Sequence, residues 1–358
     1  MTPAELRARR LTNQLLVPAV RDPVEVVRTL AAVQSQDLPG SLWAVGLRSG
    51  TDAERLRSAL SDGALLRTHV LRPTWHLVAP EDLRPLLAAT GAGVLRSIAP
   101  VLRSRGLDEA SLARVHAALP AILADGPLPR EAVAVRLGEA GVDLADGVRF
   151  ANALLHAEQA ALICSGPLVD GRQTVDLVDR RAPAVDPTPA DAVLAELALR
   201  WFRSRGPATA ADFRWWAGLP VREARAAVDA ARPRLASGTV DGRELLWDDR
   251  ADPADPPAAL LLPNYDEYLV AYADRSDVFD DAHRRFLDSR SSPIAQHVLV
   301  LAGVVAGTWR ITARARALDI EVTTFRAASP GTRAAIEAEA ARCGAHRGLP
   351  VEVALTTG

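Results

Sequence analysis

Lysine is absent from this 358-residue chain, so all 42 basic residues are arginine. That excludes Schiff-base chemistry by a side-chain amine and leaves only the terminal amine. It also favours planar, bidentate contact with phosphate, carboxylate or guanine. A lysine-free composition fits high-GC codon usage. Cysteine is nearly absent too. Cys164 and Cys343 are too few for a disulfide framework, and neither sits in a CxxC or Cys/His cluster. No metal and no cofactor is expected, and a cytoplasmic setting fits. Long apolar runs are missing. The longest, Val298 to Gly307, is too short to cross a bilayer and reads as one buried strand. Met1 to Gln14 is polar and arginine-rich, so neither a signal peptide nor a membrane partner is expected. GxSxG, HExxH and a phosphate-binding glycine loop are all missing, which disfavours serine, metal and nucleotide hydrolases.

What is present is a globular composition, 49% hydrophobic and 24% charged, long enough for two or three domains. The net charge of −2 argues against indiscriminate binding to nucleic acid. Proline-rich stretches at Ala182–Asp191 and Ala251–Ala258 read as linkers. A repeat stands out at an offset of 80 residues (206 − 126): Gly126-Pro127-Leu128-Pro129 and Gly206-Pro207-Ala208-Thr209. Each follows an amphipathic helix, Ser111–Ala124 or Ala192–Ser204. Each precedes two more helices, Arg130–Ala140 and Asp146–Ala160, or Ala210–Ala217 and Val221–Ala231. Each ends in a hairpin, Ala161–Val178 or Leu235–Trp247, turning at Asp170-Gly171 or Asp241-Gly242. Helix, helix-turn-helix and hairpin is the winged-helix order. A third copy is expected at the N-terminus: helices Pro23–Val33, Ser41–Arg48 and Ala53–Leu60, then a β-rich Leu65–Val78. In the last third, Leu260–Tyr265 and Val298–Arg316 read as strands and Gly331–Cys343 as a closing helix. Trp215-Trp216 reads as core at helical spacing. The pairs Arg180-Arg181 and Arg284-Arg285 could touch phosphate, although exposed arginine is ordinary.

Gln34 falls on the apolar stripe of Val27, Leu30 and Ala31. A buried carboxamide must find a partner in backbone, water or ligand. Gln34 and Gln36 can act together only if the helix ends between them, since helical residues two apart diverge by about 200°. Four stretches then resemble, in order, the AlkZ/YcaQ type of winged-helix DNA glycosylases. They are Val33-Gln34-Ser35-Gln36-Asp37; Leu66-Arg67-Thr68-His69 through Arg72-Pro73-Thr74-Trp75-His76-Leu77-Val78; Trp201-Phe202-Arg203 with Gly206-Pro207-Ala208-Thr209 and Asp212-Phe213-Arg214-Trp215-Trp216; and Leu262-Pro263-Asn264-Tyr265-Asp266-Glu267-Tyr268 with Asp274-Arg275. Gln36 matches the AlkZ-like branch, where the other branch has aspartate.

The resemblance implies an α+β, mainly α, fold: three tandem winged-helix modules forming a C-shaped, concave DNA-binding surface, plus a small C-terminal β-containing subdomain. The expected segments are 1–100, 101–182, 191–250 and 259–358. It implies a monofunctional DNA glycosylase acting on bulky N7-alkylguanine in double-stranded DNA. Some members also unhook interstrand crosslinks or protect actinobacteria from their own DNA-alkylating natural products. It makes Gln34 and Gln36 the catalytic pair. Asp37 is a possible helper or simply the cap of the next helix. Arg67, His69, Arg72, Trp75 and His76 of the hairpin are candidate DNA contacts, with core packing open for Trp75 and a structural role open for His76. Tyr265, Asp266 and Tyr268 could scaffold the site. One departure is Arg72-Pro73-Thr74 where many relatives have Arg-Gly-Thr, which stiffens the hairpin tip.

The chemistry suits two amides. An N7-alkylguanine is already cationic and leaves as a neutral base without a general acid. What remains is to place water and stabilise an oxocarbenium-like sugar, which glutamine carbonyls can do. Two other readings share the modules: a non-catalytic winged-helix DNA-binding regulator, and a protein-interaction scaffold. The regulator commonly dimerises on two half-sites, whereas no dimerisation helix is visible here, so a monomer is expected.

Overall fold

The computed structural model describes residues 1–17, 20–142, 144, 146–250, 252–286 and 293–358; Ala251, first residue of the second proline-rich stretch, lies outside them. The chain forms two compact units. One holds Met1–Leu56, Leu197–Trp216 and Val228–Gly358; the other holds Arg57–Glu196 and Ala217–Ala227. This division is coarser than the four segments expected, and it cuts the first of them after Leu56.

In the Arg57–Glu196 unit the order is helix Glu109–Ile122, strand Leu128–Pro129, helices Arg130–Glu139 and Gly147–Gln159, and a hairpin of Ile163–Val169 with Arg172–Leu177. Asp108 and Asp146 cap the first and third of these helices through Ser111 N–H and Val148 N–H, at 2.8 and 2.9 Å. Leu128 pairs with Val175, so the strand after Gly126-Pro127 docks on the returning hairpin strand. The core between them includes Leu119, Val133, Leu137, Leu154 and Ile163. Asp170-Gly171 turns the hairpin with φ of 50° and 72°. The copy 80 residues on has helices Ala190–Arg205, Ala210–Ala217 and Val221–Ala231, then strands Ala236–Val240 and Arg243–Trp247. Its post-Gly-Pro strand shrinks to one residue, Ala208, bridged to Leu246.

The helix Pro80–Ser104 has the length and apolarity of a membrane span. It buries Leu83, Leu87, Val94 and Ile98 on one side. At Gly91 it meets the Gly147–Gln159 helix so closely that a Cβ would sit 2.8 Å from the Gln159 carbonyl. This packing joins residues 80–104 to the segment that follows within the Arg57–Glu196 unit.

The other unit is built on a five-stranded sheet in the order Val351–Thr357, Leu318–Thr324, Val304–Ala313, Val298–Leu301, Leu260–Leu262. All neighbours are antiparallel except the first two, which are joined by the helix Pro330–Arg347, as a parallel pair requires. The apolar run Val298–Gly307 is therefore not one strand. It folds back at Ala302-Gly303, whose φ values of 46° and 80° make a two-residue hairpin turn. Gly303 is doubly constrained, because a Cβ there would lie 3.0 Å from Arg7 Cβ. Ile336, Ala340 and Cys343 of the crossover helix share a core with Trp43, Leu261, Trp309 and Ile320.

His116 and His156 face each other across two helices, Nε2 to Nδ1 at 2.9 Å, both half-buried. Burial lowers both pKa values, that of His156 to about 4 with the His116 charge as a second cause. Unfolded, each titrates near 6.5. Between these values the unfolded chain binds more protons, so stability is full above about pH 6.5 and is lost as pH falls. The thermal midpoint should drop between pH 7 and about pH 4, and His156→Asn should flatten that drop. An identical pH profile for the variant would contradict the assignment.

Candidate active site and hairpin

The helix expected to carry Gln34 stops earlier. It spans Pro23–Leu30, and Ala31 takes φ of 61°. Val33–Gln34 is extended instead. The cause lies 175 residues away. Arg205 donates from Nη1 to Leu30 O and from Nη2 to Ala32 O, each at 2.8 Å, and so satisfies carbonyls at the helix end. Glu267 holds that arginine, its Oε2 accepting from Arg205 Nε at 2.9 Å and Nη2 at 2.7 Å and from Trp216 Nε1 at 2.9 Å. The other oxygen, Oε1, accepts the backbone N–H of Gln34 at 2.9 Å. Both charged side chains are 0% exposed. Burial lowers the Arg205 pKa and the Glu267 charge opposes that. The guanidinium also lies 4.6 Å above the Trp216 ring.

Ser35 is buried and donates to Ser41 Oγ at 2.7 Å, whose own proton goes to Leu38 O at 2.9 Å. The strand ends at Gln34 and the chain bends at Gln36, so the two glutamines are not held about 200° apart as they would be on a helix. Gln34 is 5% exposed, whereas Gln36 is exposed. Asp37 stands at the N-cap position of the helix Leu38–Ser49 but its side chain makes no capping bond. The capping alternative for Asp37 is therefore corrected. Its carboxylate faces the cluster described next.

A Cβ on Gly40 would sit 2.9 Å from Asp37 Oδ2 and 2.8 Å from Asn264 Oδ1. The two oxygens thus converge on Gly40, which only glycine leaves open. Asn264 Oδ1 is buried without a hydrogen-bond partner. Asn264 N–H donates to His297 Nδ1 at 3.0 Å, which puts the proton of the neutral ring on Nε2. Burial lowers the His297 pKa, with Arg347 adding to this and Asp37 opposing it. Asn264 and His297 escaped the sequence reading. Asn264 belongs to the Leu262–Tyr268 stretch, but nothing in its spacing to Asp37 marks it in the sequence.

Tyr265 takes φ of 59°, and its N–H donates to Ile294 O at 2.6 Å. Asp266 is buried, caps Tyr268 N–H at 2.8 Å and takes both Arg48 nitrogens, Nη1 to Oδ2 at 2.8 Å and Nη2 to Oδ1 at 2.9 Å. Tyr268 is buried with its hydroxyl donating to Gly303 O at 2.8 Å, and burial raises its pKa. These contacts are internal, so Asp266 and Tyr268 are supports of the turn. Trp216 is buried, but Trp215 is 44% exposed with Nε1 donating to Val270 O at 3.1 Å, so the tryptophan pair is only half core.

The hairpin Leu66–His69 with Trp75–Val78 lies in the other unit, with His69 opposite Trp75. His69 is 7% exposed and His76 0%, so direct DNA contact by either ring is corrected. His69 is pinned through its ring to Glu158 and through its carbonyl to Gln159 Nε2 at 2.8 Å. His76 Nδ1 bonds Thr74 O at 2.9 Å. Trp75 stays partly exposed, with Arg67 and Arg130 guanidinium carbons 4.5 and 5.8 Å from its ring. Arg67 also donates to Gln173 Oε1 at 2.7 Å. Arg72 is half-buried rather than at a free tip, since its Cγ would lie 2.8 Å from a Cβ on Gly218. Arg180 and Arg181 are also engaged internally, Arg180 with Asp176 and Arg181 with Ser61 O.

Removing Arg48 leaves Asp266 buried and unpaired, which costs about 3–5 kcal/mol. Arg48→Ala should lower unfolding stability by that amount in denaturant titration, while Arg48→Met with Asp266→Leu should recover most of it. Additive losses in the double variant would refute the pairing.

A family model for AlkZ-like DNA glycosylases matches residues 27–346. An interstrand DNA cross-link repair glycosylase from Streptomyces sahachiroi is 25% identical over 369 residues, covering 97% of each chain. The solved structure of Streptomyces sahachiroi DNA glycosylase AlkZ shares the fold, with a TM-score of 0.79 at 23% identity over 99% of both chains. The chain belongs to the AlkZ-like DNA glycosylase family.

Proposed function

We propose that the protein is a monofunctional glycosylase that hydrolyses the N-glycosidic bond of bulky N7-alkylguanine in double-stranded DNA, unhooks interstrand crosslinks, and serves self-resistance to a DNA-alkylating natural product. Family membership supports the glycosylase reaction. The crosslink substrate comes from the name of the Streptomyces sahachiroi relative. The observation that carries the mechanism is the short strand Val33–Gln34, whose Gln34 N–H is held by Glu267 and whose approach is held by Arg205 at Ala32 O, with Gln36 exposed two residues further on. In this reading the two carboxamides hold a water and turn their carbonyl dipoles toward C1′ as positive charge develops there. Asp37, uncommitted to capping, adds negative potential beside them. The repeated helix, strand, helix, helix and hairpin order is read as tandem winged-helix modules that grip the duplex. With no lysine in the chain, the abasic product should remain uncut.

Two experiments test this. With a duplex carrying one N7-methylguanine, Gln34→Ala and Gln36→Ala should each abolish base release, read as strand breaks only after alkali, while duplex affinity stays within about twofold. Full release by both variants would end the assignment. Arg72→Glu, on the hairpin, should weaken duplex binding and reduce the slope of log K against log salt by about one or more. An unchanged slope would remove Arg72 from the interface.

A further inference from the structure

We infer that Glu267 is a positioning residue for base excision, setting the place of Gln34 through its main chain; this rests on Gln34 being catalytic. Glu267 looks at first like a general base in an acidic motif, yet its surroundings exclude that. It is 0% exposed, and its oxygens already accept four hydrogen bonds, from Arg205 Nε and Nη2, Trp216 Nε1 and Gln34 N. Its carboxylate is closed off from solvent. The same guanidinium holds Leu30 O and Ala32 O at 2.8 Å. Three backbone groups at positions 30, 32 and 34 are therefore held by one ion pair, from the helix end at Leu30 to the strand Val33–Gln34.

The choice of glutamate follows from reach. Arg205 and Trp216 meet one oxygen and Gln34 meets the other, so the carboxylate must span from the pair to the strand. Aspartate is shorter by one methylene, about 1.5 Å. It can keep the charge-assisted bond to Arg205 or the bond to Gln34, and the charged one is stronger. A catalytic group displaced by about 1 Å loses on the order of 100-fold in rate.

The experiment compares wild type, Glu267→Asp, Trp216→Phe and Gln34→Ala in single-turnover release of N7-methylguanine, in duplex affinity, and in amide exchange of residues 31–37. Glu267→Asp should slow release on the order of 100-fold, leave duplex affinity within about twofold, and speed exchange of the Gln34 amide. Trp216→Phe, which keeps charge and reach but removes one donor, should show the same split to a smaller degree and decides the matter if Glu267→Asp fails to fold. Wild-type release from a variant whose Gln34 amide exchanges faster would overturn the proposal. So would equal loss of release and affinity, which marks a merely structural role. Full release by Gln34→Ala would instead overturn the catalytic reading on which the proposal stands.

Discussion

One buried ion pair organises the centre of the larger unit. Arg205 and Glu267 lie out of water together, where an unpaired charge would be far costlier than an exposed one. Their cost is offset because nearly every donor and acceptor is used: two helix-end carbonyls, an indole N–H and a strand N–H. A helix is thereby ended at Leu30, and Val33–Gln34 runs on as a short strand. The place of the Gln34 main chain follows from that stop and from its N–H bond to Glu267.

The missing lysine gains meaning here. Arg10, Arg48 and Arg205 are each 1% exposed or less. Arg48 forks onto both oxygens of Asp266, and Arg10 reaches Asp277 at 3.1 Å while donating from Nε to Pro207 O at 2.9 Å. A planar guanidinium satisfies several acceptors at fixed angles, which an ammonium cannot. Whatever excludes lysine, the core of this unit makes structural use of the arginines that stand in its place.

Periodicity and turn chemistry were legible in the sequence. The Asp-Gly hairpins and the 80-residue repeat come from local signals, and so did the crossover helix. Long-range partners were not. The apolar stripe ran through Ala31 to Gln34, and only Arg205 explains why the helix ends before it. Ala302-Gly303 broke an apolar run that composition alone reads as a single strand. His69 shares a hairpin face with Arg67 and Trp75 while His76 lies on the other, and only the contacts to Glu158 and Thr74 show that both rings are engaged internally. Asn264 and His297 meet Asp37 through the fold, 33 residues apart from each other, with no spacing that announces it.

Neutral carboxamides backed by a carboxylate can steer water and soften positive charge at the sugar, but they cannot protonate a leaving base. The site should therefore act only where alkylation has already made the nucleobase cationic. Side-by-side base release from duplexes carrying N7-methylguanine or neutral hypoxanthine at one position tests this most directly. The account predicts release of the first and none of the second above the uncatalysed rate. Comparable release of hypoxanthine would require a proton donor and would contradict it.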